Sequence, residues 1–236
     1  MAEITALDPF GAAIHRCVLS YPIRKVLEIG AFDGDGSTQV LAKALAGKRD
    51  RDQKPTLVSL EENSDRFQNL VTNTAQYPFV RPVQTSSLGW ESFTARDFEK
   101  DVWTSPFNGL RYPKTQVASW HAEDMAKIQK IAKGFLEKST ETWDAVLIDG
   151  GEFFGWDEFR LLRHKARCFF LDDAFCAFKT SRARAELSKD TSWKLFWSNP
   201  KVRNGAAIFI RRDFHRERSG WGGFSRFCGW LSGKLH

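Results

Sequence analysis

Three groups of residues have the types and spacing to do chemistry. The first is the run Glu28-Ile29-Gly30-Ala31-Phe32-Asp33-Gly34-Asp35-Gly36-Ser37-Thr38. Its glycines permit a tight turn and let a ligand approach the backbone closely. A helix starting near Ser37 would aim its free N–H groups at that ligand. The glycines fall as G-x-x-x-G-x-G (Gly30, Gly34, Gly36), not as the G-x-G-x-x-G of a dinucleotide loop. Asp33 and Asp35 would repel a pyrophosphate, whereas a cationic ligand such as a sulfonium with an amino group suits them. NAD is disfavoured.

The second group is Glu61-Glu62, one strand–helix unit further on. An acid at this place can accept from both hydroxyls of a ribose; an ordinary surface carboxylate is the alternative. The third is Asp149 together with Asp172-Asp173, each closing an apolar run. If those runs are neighbouring strands, three carboxylates converge. Hard oxygen donors of this kind suit Mg²⁺, Ca²⁺ or Mn²⁺ rather than zinc. Without a cation they would repel one another and raise at least one pKa. Lys179, a few residues beyond, is the competing source of positive charge. Glu152, followed by Phe153, Phe154 and Trp156, is a candidate general base, since aromatic surroundings raise a carboxyl pKa. Orienting a substrate hydroxyl and capping the next helix are its other readings.

The elements that must hold these residues follow from hydrophobic period. Apolar runs predict strands at residues 24–29, 56–60, 143–148 and 168–171, with a weaker one at 79–84 confined by Pro82 to an edge. Helical spacing predicts helices at 7–20, 37–46, 64–72, 126–136, 158–165 and 180–189. Two final strands, 193–197 and 206–210, are joined by a turn containing Arg203-Asn204-Gly205. Strand–helix alternation means a parallel sheet covered on both faces, here with an antiparallel end. Residues 86–125, rich in Trp and Phe, break the alternation and read as an insertion, either a lid or a core-covering excursion.

With 236 residues, 42% hydrophobic and 27% charged, the chain can bury a core without disulfides or structural metal. Its four cysteines are scattered and form no C-x-x-C pair, which favours buried thiols in a reducing compartment. The opening residues lack the pattern of a signal peptide, and no apolar run approaches the ~20 residues of a membrane span. The cytoplasm is therefore the expected location. Of the net charge of +6, residues 211–236 carry +4, so the body is nearly balanced and general nucleic-acid binding is disfavoured. That tail also holds Trp221, Phe224, Phe227 and Leu231, which suit a peripheral membrane contact, packing on the chain's own domain, or a homodimer. No G-x-S-x-G, H-E-x-x-H or P-loop pattern occurs.

Taken in order, Glu28-x-Gly30-x-x-x-Gly34, then Glu61, then Asp149 after a fourth strand resemble the motifs of class I S-adenosylmethionine-dependent methyltransferases, over residues 23–210. The resemblance implies an α/β, Rossmann-like, doubly wound, mostly parallel seven-stranded sheet with an antiparallel last strand and helices on both faces. It implies one methyltransferase domain over 1–210. It assigns S-adenosylmethionine to Glu28, Gly30, Ala31, Phe32, Asp33 and Gly34 on the loop, and to Ser37 and Thr38 at the helix start. Glu61, Glu62 and Asp149 complete that set. The carboxylates are similar to those of the catechol O-methyltransferase group, where an aspartate and a following Asp-Asn pair hold magnesium. On that likeness Asp149, Asp172 and Asp173 would hold Mg²⁺, and Asp149 and Glu152 would be catalytic. Where that group has a lysine base, this chain has Glu152. The implied reaction is O-methylation of a small-molecule or glycan hydroxyl. A catalytically silent nucleotide-binding or scaffold domain is the alternative, as is a nucleic-acid methyltransferase, against which stands the absence of an Asn-Pro-Pro-Tyr-type motif.

Overall fold

The chain enters its first helix at Asp8, whose Oδ1 accepts from the N–H groups of Phe10 (2.9 Å) and Gly11 (3.2 Å), with Pro9 at the first helical position. The structure, a computed structural model, describes residues 4–48, 54–93 and 113–215. Helix α1 (Pro9–Ser20) leads to β1 (Lys25–Ile29), α2 (Ser37–Ala46), β2 (Thr56–Glu61), α3 (Ser64–Thr74) and β3 (Val80–Gln84). Next come α4 (Lys114–Ile128), the single turn α5 (Phe135–Lys138) and β4 (Ala145–Ile148). The chain continues through α6 (Gly155–Leu162), β5 (Cys168–Leu171), α7 (Ser181–Lys189), β6 (Trp193–Asn199) and β7 (Ala206–Arg211).

The seven strands form one sheet in the order β3-β2-β1-β4-β5-β7-β6. Neighbours from β3 to β5 pair in parallel, while β7 runs antiparallel to both β5 and β6. This is the expected doubly wound class, with Pro82 on the edge strand where its missing N–H costs no interior ladder bond. Side-chain alternation sends Leu27, Ile29, Val146, Ile148, Phe169 and Leu171 to one face, under α4, α6 and α7. Val26, Leu57, Leu147 and Phe170 face the other way, under Phe10, Ile14 and Val18 of α1 and Val40 and Leu41 of α2. Among the described residues no helix is long and apolar enough to cross a membrane.

One expected helix is corrected. Residues 126–136 were read as helical, but α4 begins after Pro113 and ends at Ile128. Its buried stripe, Val117 and Ile128, is spaced three turns apart. Beyond it the carbonyls of Ile131 and Ala132 accept from Trp90 N–H (2.7 Å) and Glu91 N–H (3.4 Å), so pairing with a distant segment overrides the local period. Helix α6 also starts three residues before the expected 158, which moves Glu158 from its first residue to its interior. Residues 94–112 of the insertion and 216–236 of the tail lie outside the described residues. The tail's start packs on its own domain, with Phe214 buried and stacked on Tyr21 at 5.9 Å.

The sheet order reverses between β1, whose chain continues to β2, and β4 on its other side. That reversal opens a crevice outside the carboxyl ends of the two strands. Here the backbones nearly touch: Gly30 has φ +86°, and a Cβ on it would stand 2.2 Å from the Asp149 carbonyl oxygen. Gly30→Ala is therefore expected to destabilise the fold by about 3 kcal/mol, a fall in Tm of roughly 6–12 °C for a domain this size. A melt within 2 °C of the parent, about 1 kcal/mol at most, would show that the two strand ends can separate freely.

Candidate functional site

The loop after β1 is pinned from below. The Glu28 carboxylate is fully buried and accepts the hydroxyls of Ser37 (2.6 Å), Thr38 (2.8 Å) and, from β2, Ser59 (2.6 Å). Burial pushes its pKa up, and the three hydroxyls pull against that. Glu28 and Thr38, expected at the ligand, thus act beneath the loop, while Ser37 also reaches a cavity wall. Gly34, at φ +74°, crosses so close to Leu70 of α3 that a Cβ would meet its Cδ1 at 2.5 Å. Asp33 turns to the same helix, its carbonyl accepting from Asn73 Nδ2 at 2.8 Å and its Oδ1 from Asn69 Nδ2 at 3.4 Å. The structure does not bring Asp33 to the cavity walls, and Asp35 is the loop acid that lines one.

Two hollows adjoin at Gly30, Phe32, Asp149, Gly150 and Glu152. The first, about 250 Å³, runs toward Glu61, Glu62 and Thr85–Ser87 and is bordered by Asp124 and Lys127 of α4. The second, about 330 Å³, runs toward Ala31, Asp35, Ser37 and Lys179. Glu61 is buried, its Oε2 accepting from Phe32 N–H (3.0 Å) and its Oε1 from Asn63 N–H (2.8 Å). Burial raises its pKa; the two N–H groups and Arg66 work the other way. Phe32 sits at φ 52°, with the Arg66 guanidinium 4.2 Å from its ring centre. Among the described residues the non-glycine positions at positive φ are Phe32, Asp173 and Arg203, all around this crevice. Such backbone costs roughly 1–3 kcal/mol per residue and persists only where its surroundings hold it.

Asp149, Asp172 and Asp173 do converge, as the neighbouring of β4 and β5 requires. Each is already matched to a cation. Lys179 Nζ donates to Asp149 Oδ1 at 3.1 Å and to Asp173 Oδ2 at 2.8 Å. Arg203 donates to Asp172 Oδ1 at 2.5 Å through Nη2 and at 3.2 Å through Nε. Its Nη1 reaches Asp8 Oδ2 at 3.1 Å, and Asn204 Nδ2 reaches Asp173 Oδ1 at 2.9 Å. Burial, with Asp172 and Asp173 nearby, pushes Asp149 well up despite Lys179. Burial also works to raise Asp173, but Lys179, Asn204 and Arg203 outweigh it and hold that carboxyl below its ordinary value. The donor set does not fit Mg²⁺: oxygens that would bind a hard cation are spent on nitrogen donors. Among the described residues no group of three or more His, Cys, Asp or Glu is arranged to hold a metal ion. In this structure the three carboxylates are engaged in a network of ion pairs.

The sequence reading missed Thr85–Ser87, Asp124 and Glu158. The serines follow β3 at the crevice end of the sheet, a positional signal that could have found them. Asp124 carried none, because its helix was expected elsewhere. Its Oδ2 is buried without a partner, and burial lifts its pKa to about 6. Glu158, on α6, is fully buried. Its Oε1 accepts the Ser87 hydroxyl at 2.5 Å, its Oε2 has no partner, and burial pushes it up to about 7.

No protein-family model matches the chain, and no curated protein matches it in sequence. Solved structures do match in fold. An O-methyltransferase from Bacillus cereus, in complex with SAH, superposes with a TM-score of 0.51 at 13% identity, covering 86% of this chain and 80% of that one. A methyltransferase from Geobacter sulfurreducens gives 0.50 at 11% identity, covering 85% and 77%. The fold is thus the Rossmann-like methyltransferase fold.

Glu158 has a consequence for stability. Its folded pKa of about 7 exceeds the 4.5 of an ordinary glutamate, so the folded state binds the proton more tightly. The stability this gives is complete below pH 4.5 and is lost as pH rises to about 7. Glu158→Gln, which mimics the protonated form, should be more stable than the parent at pH 8, by on the order of 1–3 kcal/mol. The gap should close toward pH 4.5 in denaturant titrations. A pH-independent difference would mean that Glu158 is ionised in the unliganded protein.

Proposed function

We propose that the chain is an S-adenosylmethionine-dependent methyltransferase acting on a hydroxyl of a small molecule or glycan. The observation that carries this reading is the crevice at the β1/β4 switch, where Glu61, Glu62, Asp124, Asp149 and Glu152 outnumber Arg66 and Lys127. A wall this acidic suits a ligand that bears a sulfonium and an ammonium group and repels one that bears phosphates. The buried, unpartnered Asp124 Oδ2 also calls for a donor, which an amino group of such a ligand supplies. The fold it shares with an O-methyltransferase in complex with SAH supports the same assignment.

The bound cofactor would supply an electrophilic methyl group. The chain's own residues do the rest. Glu61 is placed to take ribose hydroxyls, held by the N–H groups of Phe32 and Asn63. Asp149 borders both hollows and faces the positive charge where they meet. Glu152 lines both hollows, between cofactor and acceptor, and is positioned to accept the hydroxyl proton. Burial raises its pKa, Lys179 opposes this, and Asp173, Asp124 and Asp172 add to it. A general base with a raised pKa is better matched to neutral pH than a solvated glutamate. The acids in the loop and around it leave little room for NAD or a nucleic-acid backbone.

Calorimetric titration tests the reading directly. S-adenosylmethionine and S-adenosylhomocysteine should bind saturably and NAD should not. Glu61→Gln should weaken binding about 10-fold, equivalent to about 1.4 kcal/mol. Absence of binding would overturn the assignment.

Turnover gives a second check. A base must be deprotonated to act, so kcat should fall as pH drops through the Glu152 pKa, at higher pH than for an exposed glutamate. Glu152→Gln should lower kcat by about 100-fold or more and abolish that acid limb. An unchanged profile would assign the proton to another group.

A further inference from the structure

We propose that the Lys179 ammonium is the resident cation of the acceptor site, and that the site is closed to divalent metal ions. Lys179 lies between β5 and α7 and is only 6% exposed. Burying an ammonium is costly unless it is paired on several sides. Here the pairing comes from two strands, through Asp149 after β4 and Asp173 after β5. The third carboxylate, Asp172, is paired with Arg203, which is anchored in turn on Asp8 at the start of α1. Asp173 is further fixed by Asn204. A divalent ion entering here would have to displace a buried ammonium and break its two hydrogen bonds while Arg203 kept its hold on Asp172.

The arrangement also says what the ammonium does. An ammonium has three N–H donors. Two are spent on Asp149 and Asp173, and Lys179 borders the second hollow together with Glu152 and Asp35. The remaining donor serves an oxygen atom of the acceptor. On the methyl-transfer reading, on which this step rests, the acceptor O–H proton passes to the Glu152 carboxylate. The oxygen forms the O–CH₃ bond, the S–CH₃ bond breaks, and its electron pair stays on sulfur as a neutral thioether. Lys179 keeps its proton throughout and stabilises the negative charge developing on oxygen. Burial works to lower its pKa, but Asp149, Asp173, Glu152 and Asp172 outweigh this and raise it, so the group is a fixed charge rather than a base.

The test is Mn²⁺ binding, followed by electron paramagnetic resonance and calorimetry on the full chain without cofactor. The parent protein should show no saturable site. Lys179→Met removes the charge at similar length and leaves Asp149 and Asp173 without their ammonium, so it should gain one Mn²⁺ site, at least roughly 10-fold tighter than anything in the parent. Adding Asp173→Asn to that variant should abolish the gained site. Saturable Mn²⁺ binding to the parent overturns the inference, and this holds whether or not the variant folds. A folded Lys179→Met protein that gains no site overturns it equally. Failure to bind S-adenosylmethionine alongside the expected Mn²⁺ pattern would overturn the methyl-transfer reading and leave the resident cation in place.

Discussion

The C-terminal edge of the sheet depends on a carboxylate that never meets solvent. Glu28 gathers hydroxyls from β2 and from the first turn of α2, so three elements converge on one acidic group. Removing an acceptor from three buried donors is far costlier than the net worth of the bonds themselves. The loop above is consequently over-determined: clamped from below by Glu28, held to the side by Asn69 and Asn73, and closed over Leu70 at Gly34. Rigidity of this sort lets Phe32 remain at positive φ while its N–H binds Glu61. The crevice is shaped before any ligand arrives.

Charge is distributed with the same economy. The acids divide into those answered by groups within the chain and those that keep an unanswered oxygen. Asp172 and Asp173 are answered by Arg203, Lys179 and Asn204. Asp124 and Glu158 each keep a buried oxygen without a partner, and both are shifted toward the neutral form. At Asp124, which lines the first hollow, the unsatisfied oxygen destabilises the empty protein and strengthens the binding of a ligand that supplies a donor.

Much of this was legible in the sequence. The switch-point loop, the strand-end position of Glu61 and the convergence of Asp149 with Asp172-Asp173 follow from short apolar runs that end in acids. Local pattern could not tell which loop acid turns inward. Asp33 and Asp35 are two residues apart, and the choice depends on Asn69 and Asn73 in a different helix. Nor could it decide between metal and ion pair: Lys179 was visible as a candidate, but Arg203 lay in what read as a plain turn. Asp124 was hidden because its helix begins at Lys114, inside the stretch that broke the strand–helix alternation, rather than at residue 126.

The bridge from Asp8 through Arg203 to Asp172 spans nearly the whole described chain. A ribosome delivers Asp8 first and Arg203 about 195 residues later. By then β1, β4 and β5 have all emerged, with Asp172 already at the strand end. Until the β6–β7 turn arrives, that carboxylate has no guanidinium and α1 is not tied to the sheet's far side through it. The order of synthesis therefore makes the β6–β7 hairpin the keystone: a nascent chain can assemble the cofactor side of the crevice early, but the acceptor side is completed only once that turn has been made.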